Sequence, residues 1–219
     1  MRKHLALLAL AAFTHASAGA ATYQFTGATY NNFTPFTAPC ATPACADFGL
    51  SMTQTGSFTT NTPLAGNLAN ANITSLITSY SFNDGLTQYT SGGSNDKLVF
   101  AHVWTDGAGD IVAQNIVMQK WQSANHGANG RLDTLSVDNS SVHNGYCVTP
   151  AISSGYCSLS DADASTSLAD GSGGAWSTIA APVNGGSSVA SVPTLGEWSL
   201  LLLSALMAGM GALLRRKAP

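Results

Sequence analysis

From Trp198 to Leu214 the chain contains no charged residue, and three cations, Arg215, Arg216 and Lys217, close the run. At about 1.5 Å per residue a helix over this run reaches roughly 25 Å, slightly short of the ~30 Å hydrocarbon core of a bilayer. Leu195 to Glu197 bring it close to full length, and the Arg215 and Arg216 side chains can snorkel to the far headgroups. Seven leucines between residues 200 and 214 make insertion favourable. The expectation is a single C-terminal transmembrane helix over 198–214. The basic residues on its far side place that end in the cytoplasm. Any folded domain must then be built from the residues before it, on the opposite side of the lipid.

The N-terminal end agrees with that orientation. Arg2 and Lys3 give a positive start, Leu5 to Phe13 supply a short apolar core, and Ala18-Gly19-Ala20 offers a small-residue cleavage site. Residues 1–20 therefore read as a signal peptide, with the mature chain starting at Ala21 and cleavage after Ala18 nearly as good. This implies the secretion machinery and signal peptidase as partners.

Just ahead of the apolar run stands Val192-Pro193-Thr194-Leu195, with Trp198 three positions on. Pro193 resists helix and keeps its predecessor extended, so a protease could accept this stretch as a strand. Trp198 sits where an interfacial aromatic fixes the depth of a membrane helix. In order and position these residues closely resemble the IPTL-CTERM sorting signal, a relative of the PEP-CTERM signals of Gram-negative bacteria that make exopolysaccharide. The resemblance covers residues 192–217. Val192 stands where that signal usually has isoleucine, and Ser199 where it usually has glycine. It implies recognition by an exosortase, an integral-membrane cysteine protease and transpeptidase that cuts near the signature and transfers or releases the body. The protein would be held at the inner membrane with its body outside, then passed to the cell surface or extracellular matrix. In this reading the tail is a substrate, not a catalyst.

Residues 21–181 remain for the exported domain, enough for one core. Its only basic residues are Lys97, Lys120 and Arg131, set against ten aspartates and no glutamate. That acidic balance argues against nucleic acid or anionic lipid surfaces as partners. No stretch keeps a 3.6-residue apolar period, whereas Leu98, Phe100, His102 and Trp104 alternate onto one face with Val99, Ala101, Val103 and Thr105 on the other. Asp106 to Asp110 makes a turn, and Ile111 to Trp121 is the returning strand. Further strands are expected at Thr22–Thr26, Thr55–Thr60, Ile77–Phe82, Leu86–Thr90, Leu132–Asp138 and Ala175–Ala180, with a helical turn within Asn72–Thr78. Many short strands with Gly, Asn and Asp turns give an all-β domain, an antiparallel sandwich or jelly roll. Thr22 to Gly27, Thr55 to Thr59, Tyr80 to Phe82 and Asp110 to Trp121 also resemble small exported domains found ahead of PEP-CTERM-type tails, which implies a β-sandwich of unknown activity. Residues 182–191 read as a flexible linker.

Cys40, Cys45, Cys147 and Cys157 are an even set in an oxidising compartment, and four cysteines allow three pairings. Cys40–Cys45 and Cys147–Cys157 close the shortest loops. Zinc would need closer cysteine pairs with histidine partners, so no metal or cofactor is expected. Asp106 with Asp110, and Asp161 with Asp163, could ligate calcium, but neither pair matches an EF-hand loop, so both read as turn residues. There is no nucleophile elbow, no HExxH and no phosphate loop, so the chain does not read as an enzyme. Two functions remain: a surface or matrix protein sorted by its tail, or a carbohydrate-binding module for exopolysaccharide. In the second, Trp104, Trp121 and Trp176 are the candidates for stacking sugar rings.

Overall fold

A computed structural model describes residues 19–38, 45–124, 126–151 and 153–180. They form an antiparallel β-sandwich. In chain order the strands are β1 (Ala21–Thr29), β2 (Asn32–Thr34), β3 (Thr53–Thr60), β4 (Ala71–Asn72), β5 (Ile77–Asn83), β6 (Gln88–Thr90) and β7 (Asp96–Thr105). There follow β8 (Ile111–Trp121), β9 (Arg131–Ser136), β10 (Ser140–Ala151), β11 (Tyr156–Asp161), β12 (Ser167–Asp170) and β13 (Ala175–Ala180). A single 3₁₀ turn, Thr74–Leu76, falls inside the expected helical turn. Among the described residues no helix is long and apolar enough to cross a membrane; the run 198–214, the linker 182–191 and residues 1–18 of the leader lie outside them.

One sheet has five strands in the order β13-β1-β3-β5-β6, and the other eight, running β2-β12-β10-β9-β8-β7-β4 with β11 added to β10. Alternation decides which side chains meet between them. Tyr23, Phe25, Phe58, Phe82 and Tyr89 from the smaller sheet face Ala101, Val103, Ile116, Met118 and Leu135 from the larger, all nearly inaccessible to water. Each large apolar side chain buried in this way contributes about 1.5–3 kcal/mol. Tyr23 spends its hydroxyl inside the core by accepting a hydrogen bond from the Leu64 N–H at 2.7 Å.

The β7–β8 hairpin forms as the sequence requires, with one change. A bulge between Leu98 and Phe100 shifts the register, so Leu98 packs against the core while Phe100, His102 and Trp104 face outward. The turn is fixed by Asp106, whose Oδ1 accepts the Ala108 and Asp110 N–H groups, and by Gly109 at φ 92°. A Cβ on Gly109 would collide with the Leu64 carbonyl, so only glycine fits there.

On the outward side of the five-stranded sheet the register aligns small polar residues in rows. Gln24 pairs with Ser57, Ser57 with Ser81 and Ser81 with Thr90; in the next row Thr26 pairs with Thr55, Thr55 with Asn83 and Asn83 with Gln88.

The long strand β10 changes partners partway. Its first half lies between β9 and β12 and its second half between β9 and β11, with a bulge between Val142 and Gly145. Asn144, at φ 59°, sits in that bulge, a conformation that asparagine tolerates better than other side chains. Cys147 and Cys157 form a disulfide across β10 and β11, as expected. Cys45 is also disulfide-bonded, and Cys40 lies outside the described residues.

Candidate functional site

The three tryptophans proposed to stack sugars have three different fates. Trp121 is 1% exposed. The β10–β11 hairpin folds over it, and Trp121, Leu132 and the disulfide form a small core of their own. Its indole N–H donates to the Gly155 carbonyl at 2.9 Å. Beside it Gln119 clamps the same hairpin, donating from Nε2 to the Cys157 carbonyl at 3.0 Å and accepting the Cys157 N–H at 2.8 Å. Trp121 is therefore a structural residue, which corrects its assignment as a sugar platform. Long-range packing by the hairpin is the reason.

Trp176 is in the final strand, as expected, but its ring serves the core. It lies 5.2 Å from Phe25, 5.5 Å from Phe58 and 6.3 Å from Phe82, and its N–H donates to Gln114 at 2.9 Å. It too is corrected to a packing residue.

Trp104 differs. It is partly buried, like Trp176, but lies on the outer face of the eight-stranded sheet, with no ring partner and no hydrogen-bond partner among the described residues. Two positions back on the same face lies His102, edge-on to Phe100 at 5.8 Å. The His102 Nδ1 is 3.1 Å from Asn70 Oδ1, so an amide fixes the imidazole. The facing positions on β8 are Ala113 opposite Trp104, Asn115 opposite His102 and the apolar Val117 opposite Phe100. The product is an uncharged aromatic strip about 13 Å long, from the rise of four residues along a strand. Such a strip offers apolar ring faces flanked by amide donors and acceptors, the chemistry that suits the C–H and O–H faces of a sugar.

Other polar groupings spend most of their hydrogen bonds on one another, although the buried Gln122 Oε1 has no partner among the described residues. Asp84 and Asp133 lie in one buried network. Asp84 accepts from the Leu86 and Thr87 N–H groups and from the Tyr89 hydroxyl; Asp133 accepts from Thr87, Gln122 and the Asn144 N–H and pairs with His143 at 3.1 Å. Burial raises the Asp84 carboxyl above its ordinary range. Burial alone would also raise Asp133, but the hydrogen bond and charge of His143 pull it below its ordinary range. Near the surface, Arg131 grips Asp163 with two bonds of 3.1 and 2.6 Å and also donates to the Asn144 carbonyl. Its hydrogen bond lowers Asp163 to about 2. A cleft of about 240 Å³ opens there beside Asn129 and Tyr146. Sequence reasoning did not find His126, which stacks on Trp121 at 5.1 Å and 11°; only the folded hairpin brings them together. Among the described residues no group of three or more His, Cys, Asp or Glu side chains is placed to hold a metal ion. Asp106 and Asp110 instead satisfy turn N–H groups and the Thr178 hydroxyl.

The tail falls outside the described residues, so its assignment rests on sequence. Residues 190–217 match the IPTL-CTERM motif. The matched span contains Val192, Pro193, Thr194, Leu195 and Trp198, the apolar run and the Arg215-Arg216-Lys217 stop. The chain thus carries a C-terminal IPTL-CTERM sorting motif behind a disulfide-bearing β-sandwich. No curated protein and no solved structure matches the chain.

Proposed function

We propose that the chain is an exported, non-enzymatic surface or extracellular-matrix protein. Its tail tethers it to the inner membrane until an exosortase-type enzyme cuts near Pro193-Thr194-Leu195. The observation that carries this reading is the IPTL-CTERM match over residues 190–217, with every part of the signal in order. Support comes from the Cys147–Cys157 disulfide, a bond that persists in exported compartments and rarely in the cytosol. The acidic body stays clear of the anionic membrane surface once released.

Two tail variants separate the roles. Replacing Pro193 and Thr194 by alanine removes the handle and leaves the apolar run, so the uncut chain accumulates in the membrane fraction. Replacing Arg215 and Arg216 by glutamine weakens the stop and lowers membrane retention. If the Pro193/Thr194 variant is processed at the wild-type rate, the signature is not what the enzyme reads.

The Phe100–His102–Trp104 strip favours a second, compatible reading. The body is a carbohydrate-binding module for exopolysaccharide, with Trp104 as the stacking ring. Trp104→Ala then weakens glycan binding without unfolding the domain; unchanged binding excludes the strip.

A further inference from the structure

The outward face of the five-stranded sheet, opposite the core from the aromatic strip, carries a groove of about 360 Å³. This lies within the range of small-molecule sites, roughly 300–1,000 Å³. Gln24 on β1 and Gln88 on β6 are its long side chains, while Thr55, Ser57, Ser81 and Asn83 from β3 and β5 lie in register between them.

Three properties of this lining select an occupant. None of these side chains carries a charge, although the body as a whole has ten aspartates. Gln24, Thr55 and Ser57 have no side-chain hydrogen-bond partner among the described residues, so their donors and acceptors face outward unused. Gln88 is already oriented, donating to the Ser81 hydroxyl at 2.8 Å and accepting from Asn83 at 3.3 Å.

A protein partner would need apolar or aromatic anchors, and the only aromatic residues of the lining, Phe25 and Phe82, are each 1% exposed with their side chains in the core. An anionic polymer would meet the field of the acidic body with no cation in the lining to receive it; Lys120, which donates to the Gln88 carbonyl at 2.8 Å, is already paired with Asp96. A neutral, hydroxyl-rich chain meets neither obstacle. It exchanges bonds to water for bonds to hydroxyls and amides, with no ion to desolvate.

We propose that this groove binds a neutral glycan chain between Gln24 and Gln88, so that the sandwich has a polysaccharide site separate from the Trp104 strip.

The test uses the full chain in detergent, carrying Trp104→Ala so that only the groove is read. The probes are hydroxyethylcellulose and dextran as neutral polymers and alginate as the anionic one. The proposal expects binding to a neutral polymer and at least tenfold weaker binding to alginate. It further expects about a tenfold loss of neutral-polymer binding with Ser57→Arg, which fills and charges the groove, and with Gln24→Ala/Gln88→Ala, which removes its amides. Equal urea midpoints for all variants show that the fold is intact; should the double variant fail to fold, Ser57→Arg alone decides. No binding to either neutral polymer, binding to alginate of equal strength, or binding unchanged by the groove variants overturns the proposal. Comparing the chain with and without Trp104→Ala scores the strip independently.

Discussion

Replacing each body tryptophan by alanine in turn separates core from surface on a single scale. Trp121 is 1% exposed and holds the Gly155 carbonyl. Truncating a buried tryptophan costs about 3–5 kcal/mol, and leaving its carbonyl partner unpaired adds about 1. Trp176 is only partly buried but contacts three phenylalanine rings and donates to Gln114. Its loss is worth about 2–3 kcal/mol, scaled down for its exposure. Trp104 is also partly buried, but it lies off the core and has no ring or hydrogen-bond partner among the described residues, so Trp104→Ala costs less than about 1 kcal/mol. With a urea dependence of about 2 kcal/mol/M for a domain of this size, the midpoints fall by roughly 2–3 M, 1–1.5 M and under 0.5 M. Far-UV circular dichroism reads the transitions without relying on the fluorescence of the residues removed. A Trp104→Ala midpoint as low as that of Trp176→Ala would refute the argument, because the strip would then be core. A Trp121→Ala shift below about 0.5 M would show that the hairpin does not pack as described.

Further expectations concern the same hairpin and the buried network. Cys147→Ala/Cys157→Ala removes a crosslink with a sequence separation of 10, and chain entropy puts the loss at about 3 kcal/mol; urea denaturation of the double variant checks it. Gln119→Ala leaves the Cys157 N–H and carbonyl unpaired and costs about 2–3 kcal/mol, read as faster hydrogen exchange at Cys157. Asp133 has a folded-state pKa below its unfolded value, so its contribution is present above about pH 4 and is lost as pH falls through the folded value. Asp133→Asn therefore destabilises strongly at pH 7 and flattens the acid limb of the stability profile. Asp84 has the opposite sign: its raised folded pKa opposes folding at neutral pH, and that cost disappears as the carboxyl protonates. Asp84→Asn is thus less damaging at pH 7 than at pH 4, and thermal unfolding at the two values measures the difference.

How far the residues revealed the structure depended on whether their signal was local. The strands expected at Ile111–Trp121 and Ala175–Ala180 have those bounds in the fold, because each is rich in β-forming residues and starts directly after a turn that contains glycine. β10 was missed for a physical reason. Asn144-Gly145 is a strong hairpin-turn pair, and Pro150 argues against a strand, yet here the pair builds a bulge within one continuous strand. β2, with all three residues exposed, has no inward face and so no alternation to read. Alternation put Trp104 on one face with Phe100 and His102 but did not say which face was buried, and the bulge after Leu98 could not be read from it. The burial of Trp121 was not, because a hairpin some 30 residues later in the sequence creates it. Ser57 and Ser81 look like ordinary solvated strand residues until pairing aligns them beside Gln24 and Gln88.

Intact mass spectrometry of the mature protein from its native host tests the central claim most directly. The account predicts a chain beginning at Ala21, ending near residues 192–198, with both disulfides formed and any attached lipid or glycan appearing as added mass on the new carboxyl end. A chain recovered whole to Pro219 from a host with an active exosortase would contradict it.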